Sequence, residues 1–280
     1  MNIALGSFDG LHAAHRAVLR GATAVLLFSE HPQVTLHGQA PLQLLTNDER
    51  AHRLQAAGLR LLHVDFAELA ALPPAQFIAL LRERYGATGL RCGHNFRFGA
   101  GAQGNIALLR ELCATHGMTL SIVPRIAYRG DTVSSTRIRA ALQQGEITQV
   151  NAMLGRAFGY SFPVEHGARL GRVLGAPTLN QHFTPGYCVP KAGVYASRAC
   201  VDGAWWPAVT NIGLRPTISN HSEATEQHRR CPRSETHIPG FAGDLYGQRV
   251  PVRLLRFVRE ERRFGSVEEL KAQILQDIQI

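Results

Sequence analysis

The chain changes rhythm once, and that change constrains its fold more than any other feature of the sequence. Up to about residue 125, strand-like and helix-like stretches alternate. ATAVLLF at 22–28 is an unbroken apolar run, as in a strand covered on both faces. TNDERAHRLQAAG at 46–58 opens with Thr46, carries Glu49 three residues on, and meets Gly58 at its end, which are the start and stop signals of a helix. LRLLHVDF at 59–66 reads as strand, and PPAQFIALLRERYG at 73–86 as a helix with proline at its start. TGLRCG, NIALLRELCATHG at 105–117 and MTLSIVPRI continue as strand, helix and strand. Such alternation predicts an α/β domain on a parallel sheet. After about residue 158, GVYASRACV, WWPAVTNIG and QRVPVRLLRFV are short strand segments between Gly, Pro and Asn clusters. One amphipathic helix, SVEELKAQILQDI at 266–278, follows them, a pattern that fits a small β-barrel with a C-terminal helix. The polar segment 219–234 reads as a surface loop, and no internal repeat is present.

A length of 280 residues accommodates two domains, with the boundary expected at 154/155. The formal net charge is +9, from 30 Lys+Arg against 21 Asp+Glu, which favours anionic ligands such as nucleotides. Nucleic acid is the competing reading of that charge. No helix-turn-helix signature, RNA-binding aromatic motif or zinc finger supports it, so no nucleic-acid partner is expected. The five cysteines, Cys92, Cys113, Cys188, Cys200 and Cys231, form no CxxC pair. Reduced thiols, a cytoplasmic location and no secretory signal are expected. No apolar run reaches the ~18 residues of a membrane span, so no membrane partner is expected either. Nothing in the sequence sets an oligomeric state.

LGSFDGLHAAHRAVL, residues 5–19, joins a first short strand to a first helix. Gly6, Phe8, Asp9 and Gly10 form the turn, and His12 and His15 follow one helical turn apart. Residues three apart share a helical face, and unpaired N–H groups at a helix start attract anions. A phosphate site is one reading; a metal-ligand pair and two histidines without a role are the others. A metal would need a third ligand and an oriented outer shell.

Further motifs lie along the chain. GAGAQG at 99–104 matches GxGxxG but lacks the acidic residue about twenty positions on that a dinucleotide site needs, so a flexible glycine loop is preferred. SSTRIRAAL, Ser134 to Leu142, starts a helix with hydroxyls and carries Arg137 and Arg139 in its first turns. It reads either as a plain cap or as a polyphosphate contact through Ser135, Thr136 and Arg139. GAPTLN at 175–180 reads as a turn, though a hydroxyl and an amide two residues apart also suit Mg²⁺ together with substrate phosphates. In SETHI at 234–238, strand alternation sets Glu235 and His237 on one face and Thr236 on the other. Glu235 is a candidate general base, the plain alternative being an exposed edge-strand pair.

Taken in order, GSFDGLHAAH, FSEHP, GHNFRFG, SSTRIRAAL, GRVLGAPTLN, KAGVYA, NIGLRPT, ETHIPGFAGDLYG and VREERRFGSVEELKAQI resemble the bifunctional bacterial riboflavin kinase/FMN adenylyltransferase (FAD synthetase) family over nearly the whole length. The resemblance implies a parallel-sheet nucleotidyltransferase domain over 1–154 and a riboflavin kinase β-barrel over 155–280. It implies riboflavin, FMN and ATP as substrates and Mg²⁺ as cofactor. His12 and His15 would neutralise the ATP phosphates while FMN attacks the α-phosphorus. Asn95 would help place nucleotide or flavin, and Ser135, Thr136 and Arg139 would contact the polyphosphate. In the second half, Thr178 and Asn180 would hold Mg²⁺ and ATP phosphates, and Glu235 would take the proton of the ribityl hydroxyl. Three departures stand out: Ala14 replaces the glycine of HxGH, the segment from His15 to the next strand is short, and Leu179 stands in PTLN where the family prefers alanine. The alternative function is a monofunctional riboflavin kinase with a decayed or repurposed nucleotidyltransferase domain.

Overall fold

Five apolar runs pair side by side in the amino-terminal part of the chain: β1 (Asn2–Ala4), β2 (Ala24–Phe28), β3 (Arg60–Val64), β4 (Gly89–Gly93) and β5 (Thr119–Val123). All pairs are parallel, in the order β3-β2-β1-β4-β5. The fold is that of a computed structural model, which describes residues 1–166, 178–213 and 232–262, together with 269, 272, 273, 276 and 277. The described chain divides into two compact units, Met1–Arg137 and Ile138–Ile280.

Strand alternation explains why the apolar runs are continuous. Ile3, Ala24 and Leu26 enter one core layer with Ile78 and Leu81 of α5 (Pro74–Glu83) and Leu109 of α6 (Ile106–Thr115). Their neighbours Ala4, Val25 and Leu27 enter the opposite layer with Val18 of α1 (Ala13–Leu19) and Leu54 of α3 (Asn47–Ala56). A strand sandwiched between helices cannot afford a polar face. The capping box of Thr46 and Glu49 forms at α3 as its spacing predicts. Two short helices not anticipated from sequence, at 32–37 (Pro32–His37) and 66–70 (Phe66–Ala70), complete this layer set as α2 and α4 in chain order. A hairpin, β6 (Ala127–Tyr128) with β7 (Asp131–Thr132), precedes α7 (Ser135–Gln143).

The second unit begins with the end of α7 and with α8 (Ile147–Leu154), which buries Ile147, Val150, Met153 and Leu154. Asn151 of α8 donates to Leu254 O at 3.0 Å and accepts the Phe158 N–H at 2.6 Å, so the helix is tied to the strands that follow. Those strands are β8 (Phe158–Pro163), β9 (Thr178–His182), β10 (Gly193–Val201), β11 (Ala204–Gly213), β12 (Arg233–His237) and β13 (Arg249–Arg259). They form one antiparallel sheet in the order β8-β13-β10-β11-β12-β9. Its two edges meet through an isolated bridge between Glu165 and Asn180. Inside, the buried Gln181 amide donates to Phe162 O at 2.6 Å and Val250 O at 2.8 Å, which draws β9 against β8 and β13 and curls the sheet into a barrel.

Three local expectations change. Thr178 to Asn180 of GAPTLN form strand, not turn, because pairing with β12 overrides turn composition; Gly175 to Pro177 lie outside the described residues. Arg233 and Ser234, read as the end of a surface loop, open β12, and Ser234 is fully buried; 219–231 lie outside the described residues. Finally, β12 is flanked by β11 and β9 and is not an edge strand. Of the C-terminal helix, the described residues are helical, and Arg259 clamps the buried Asp277 with contacts of 3.2 and 2.7 Å.

A fragment starting at Ile138 is expected to unfold cooperatively and to melt roughly 4–8 °C above one starting at Gly155, which lacks α8 and both Asn151 bonds. Thermal unfolding of the two fragments checks this; equal melting temperatures would mean that α8 contributes nothing to the barrel.

Candidate functional site

In the first unit the strand order reverses between β1 and β4. Ligands in open parallel sheets bind beyond the carboxyl ends of the strands at such a reversal. The loop after β1 carries Gly6 to His12, and the loop after β4 carries the exposed Asn95, so the sheet brings these two sequence-distant motifs to one crevice. The β1 loop is tightly bent. Phe8, Gly10 and Leu11 have φ of 54°, 81° and 45°. At Gly10 a Cβ would come within 2.7 Å of the Leu44 side chain, so the turn needs both the conformation and the small size of glycine. Positive φ at Phe8 and Leu11 is backbone strain of about 1–3 kcal/mol per residue, held by the surrounding packing.

What holds it is Asp9. Its carboxylate is buried and accepts the backbone N–H groups of Leu44 at 3.0 Å and Leu45 at 3.4 Å. Its carbonyl accepts the Ser135 hydroxyl at 2.9 Å, so the start of α7 is fastened to the same loop. Thr136 is exposed beside Ser135, and Arg139 follows one turn further along α7. Ser134 caps the helix by accepting the Arg137 N–H at 3.3 Å. Arg137 itself donates to Tyr128 O and Asp131 O, both at 2.9 Å, and so serves the β6–β7 hairpin.

His12 is the N-cap of α1, and its Nδ1 accepts the His15 N–H at 3.2 Å. An accepting nitrogen carries no proton, so a neutral His12 holds its proton on Nε2. The two imidazoles stack with centroids 3.6 Å apart and planes 17° from parallel, and Phe8 meets His15 edge-on at 5.3 Å. Burial lowers the pKa of His15 well below 6.5, and electrostatic interaction with His12 and with the Arg50 guanidinium lowers it further. His15 therefore rests neutral, with its buried Nδ1 lacking a partner.

Arg50 was not singled out by the motifs. It sits on the buried face of α3 with Leu54, donates to Ser7 O at 3.2 Å and Asn47 Oδ1 at 2.9 Å, and leaves Nε unpartnered. Burial lowers its pKa while Asp9 raises it, and a guanidinium stays charged throughout. The signal was present in the sequence: a charged residue four positions before Leu54, where helical spacing demands an apolar side chain. A buried cation, an unpartnered imidazole nitrogen and a helix start together give a chemistry that suits an anion.

In the second unit, pairing register builds the other site. Glu235 of β12 lies directly opposite Asn180 of β9 and Asn211 of β11, and His237 lies opposite Thr178. Residues directly opposite share a face, so Thr178, Asn180, Glu235, His237 and Asn211 form one polar surface on the outside of the barrel. Glu235 is half-buried and ion-paired with Arg233, two residues before it on the same strand face. Asn211 donates to Glu261 Oε1 at 2.9 Å. Asn211 and Glu261 lie in the NIGLRPT and VREERRFGSVEELKAQI stretches without having been singled out as site residues, and Arg233 lies in none of the motifs; the register recruits all three. Asn180 Nδ2 donates to Thr178 O at 3.3 Å, which leaves its amide oxygen available as a metal-type ligand. Neutral oxygens with one neighbouring carboxylate suit Mg²⁺, which takes its other ligands from phosphates and water. Among the described residues no group of three or more His, Cys, Asp or Glu side chains could hold a metal. Cys92, Cys113, Cys188 and Cys200 are free, and burial with the neighbouring Cys113 pushes the Cys92 thiol up to about 11, away from nucleophilic use.

Comparisons with known proteins follow the same division. A family model described as FAD synthetase matches residues 1–137, and one described as riboflavin kinase matches residues 154–280. A bifunctional riboflavin kinase/FMN adenylyltransferase of Escherichia coli K12 is 34% identical over 98% of this chain and 90% of its own length. Namesakes from Pseudomonas fluorescens and Bacillus subtilis are each 32% identical, covering 89% and 90% of those proteins. A crystal structure described as a macrolide-efflux protein from Streptococcus pneumoniae superposes with a TM-score of 0.84 at 26% identity, covering 99% of this chain and 92% of that one. Among the described residues of the present chain, no helix is long and apolar enough to cross a membrane.

The buried His15 makes a pH prediction. Its folded pKa lies below its unfolded value of 6.5, so over that interval the unfolded chain binds more protons. Its contribution to stability is full above about pH 6.5 and is lost as pH falls toward the folded value. His15→Gln is expected to flatten the stability decline of the amino-terminal unit between pH 7.5 and 5.5. Urea unfolding of parent and variant at both pH values measures it, and parallel declines would contradict it.

Proposed function

The chain belongs to the bifunctional riboflavin kinase/FMN adenylyltransferase family, and from that premise we propose how its own residues carry the two reactions. It phosphorylates riboflavin to FMN with ATP and transfers the adenylyl group of a second ATP to FMN, giving FAD. Both family models match, and relatives bearing both activities in their names align over nearly the whole chain, so a kinase with a decayed first domain is not favoured. We assign the adenylyl transfer to 1–154 and the kinase to 155–280.

In the kinase step the ribityl hydroxyl of riboflavin attacks the γ-phosphorus of ATP. Glu235 accepts the hydroxyl proton as the new P–O bond forms and ADP departs. Proton acceptance of this kind contributes about 10²–10⁴-fold, while positioning and charge stabilisation carry the rest of a phosphoryl transfer. Thr178 and Asn180 would hold Mg²⁺, which supplies charge neutralisation of the phosphates when bound. The observation that supports this reading best is the register that sets Asn180 opposite Glu235. It gathers a base and two metal-type oxygens on one surface without any sequence proximity between them.

In the adenylyl step the FMN phosphate attacks the α-phosphorus and pyrophosphate leaves, with no covalent enzyme intermediate. His12 and His15 meet the phosphates at the start of α1, beside the buried Arg50. Gly6, Phe8 and Gly10 shape the turn around them, and Asp9 braces it. Ser135, Thr136 and Arg139 contact the polyphosphate from α7, and Asn95 orients nucleotide or flavin from the loop after β4.

Two outcomes test the assignments. Glu235→Gln is expected to cut FMN formation from riboflavin by about 10²–10⁴-fold and to leave FAD formation from supplied FMN intact. Chromatography of products from riboflavin, ATP and Mg²⁺ reads both steps at once, and near-parental FMN formation removes Glu235 from the mechanism. Ala14, half-buried between the histidines in the first turn of α1, carries a methyl where the family has none. Ala14→Gly is expected to raise the initial rate of FAD formation at a helix cost of roughly 0.5–1 kcal/mol. A slower variant would mean that the alanine is a fitted part of this site.

A further inference from the structure

The interior of the barrel holds a chain of hydroxyls that the reaction does not touch. Ser197 of β10, Thr210 of β11 and Thr236 of β12 are all buried. Ser197 Oγ lies 2.8 Å from Thr210 Oγ1, and Thr210 Oγ1 lies 2.9 Å from Thr236 Oγ1. Thr210 and Thr236 are directly opposite across β11 and β12, and Thr236 sits next to Glu235 with its side chain on the other face.

The register of β12 needs such a device. Gly213 of β11 pairs with Arg233 of β12, twenty positions later in the sequence, so their register joins residues far apart along the chain. Its other neighbour, β9, lies far back in the sequence. A slip by one residue is prohibited by charge, since it would turn Arg233, Glu235 and His237 into the core. A slip by two residues is not: it keeps every charge outside and every core residue inside. It moves Glu235 along the strand by about 7 Å, off Asn180 and Asn211. An apolar interior would accept that slip. The hydroxyl chain opposes it most in the direction that sets Ile238 opposite Thr210, where the displaced Thr236 hydroxyl faces Ile212 without a partner; in the other direction Ser234 takes the place opposite Thr210 and only Thr236, now facing Ala208, is orphaned.

We propose that Ser197, Thr210 and Thr236 are positioning residues for the kinase step, a hydrogen-bonded register lock that holds Glu235 opposite Asn180. The proposal rests on the reading of Glu235 as the base. None of the three touches substrate; they act through the strand that carries Glu235.

The test replaces the hydroxyls while keeping shape and volume. Removing all three together, as Ser197→Ala with Thr210→Val and Thr236→Val, leaves no orphaned partner among the three but takes Thr210 and Thr236 from beside the buried Tyr160 hydroxyl, so the melting temperature is expected to fall by a few degrees with the fold kept. Register exchange requires unzipping a central strand and is slow beside turnover. Slipped molecules are then silent, and the remainder behave normally. The kinase kcat is expected to fall about tenfold or more at unchanged KM for riboflavin and ATP. FAD formation from supplied FMN stays parental, and amide NMR signals of β12 appear as two sets. Thr236→Ser keeps the hydroxyl and is expected to keep the parental kcat, whereas Thr236→Val alone loses part of it. This pair carries the test if the triple variant does not fold. A triple variant with parental kcat and one set of β12 signals overturns the proposal, as do equal kcat values for Thr236→Ser and Thr236→Val. Glu235→Gln separates the two readings. If it turns over riboflavin at the parental rate, the base assignment falls and the kinetic arm with it, while the doubled β12 signals still decide the register lock. If it is inactive and the triple variant is fully active in a single register, only the lock falls.

Discussion

A carboxylate taken out of water must be met by donors, and the first unit is arranged around the one at Asp9. Two backbone N–H groups, from Leu44 and Leu45, point at it, and the carbonyl of the same residue receives the Ser135 hydroxyl. Two segments remote in sequence are thereby bound to a single turn. That turn contains φ values that most residues avoid, and it would relax without the brace. Because it is held, His12 is delivered as the cap of α1, His15 stacks on it, and Arg50 closes the site from α3. Asp9 thus acts by shaping the loop that carries the proposed phosphate site, and its own charge is occupied in doing so.

The two units solve a common electrostatic problem by different means. Each must receive a polyphosphate without presenting so much positive charge that the empty site repels itself. The first holds a buried guanidinium beside a His15 whose pKa burial lowers. The second uses oxygens and a carboxylate balanced by the adjacent Arg233, a surface suited to a cation that accompanies the nucleotide. The excess of arginine over acidic residues in the chain as a whole agrees with both.

Strand alternation lets the barrel separate chemistry from stability. On β12, odd-numbered residues face outward to the proposed kinase site and even-numbered ones face inward to Thr210 and the core. The same alternation on β9 turns Asn180 outward and Gln181 inward, where its amide closes the barrel by bonding two strands at once. Reactive and architectural residues are therefore neighbours in sequence yet never compete for the same space.

Much of this was legible in the sequence because it depends on local periodicity. The alternation of apolar runs gave the parallel sheet, Thr46 with Glu49 gave a capped helix, and the parity of SETHI assigned Glu235 and Thr236 to opposite faces. The loop of glycines and histidines after β1 was likewise marked by composition and spacing alone. Pairing between distant segments was not legible, since it depends on closing long loops whose ends carry no mark of each other. Tertiary structure alone decided that Asn180 stands opposite Glu235, that PTLN runs as strand, and that Gln181 seals the barrel. It also decided that Arg50 is buried beside the histidines, where Asn47 one turn back on α3 and Ser7 and Asp9 from the distant β1 loop surround the guanidinium.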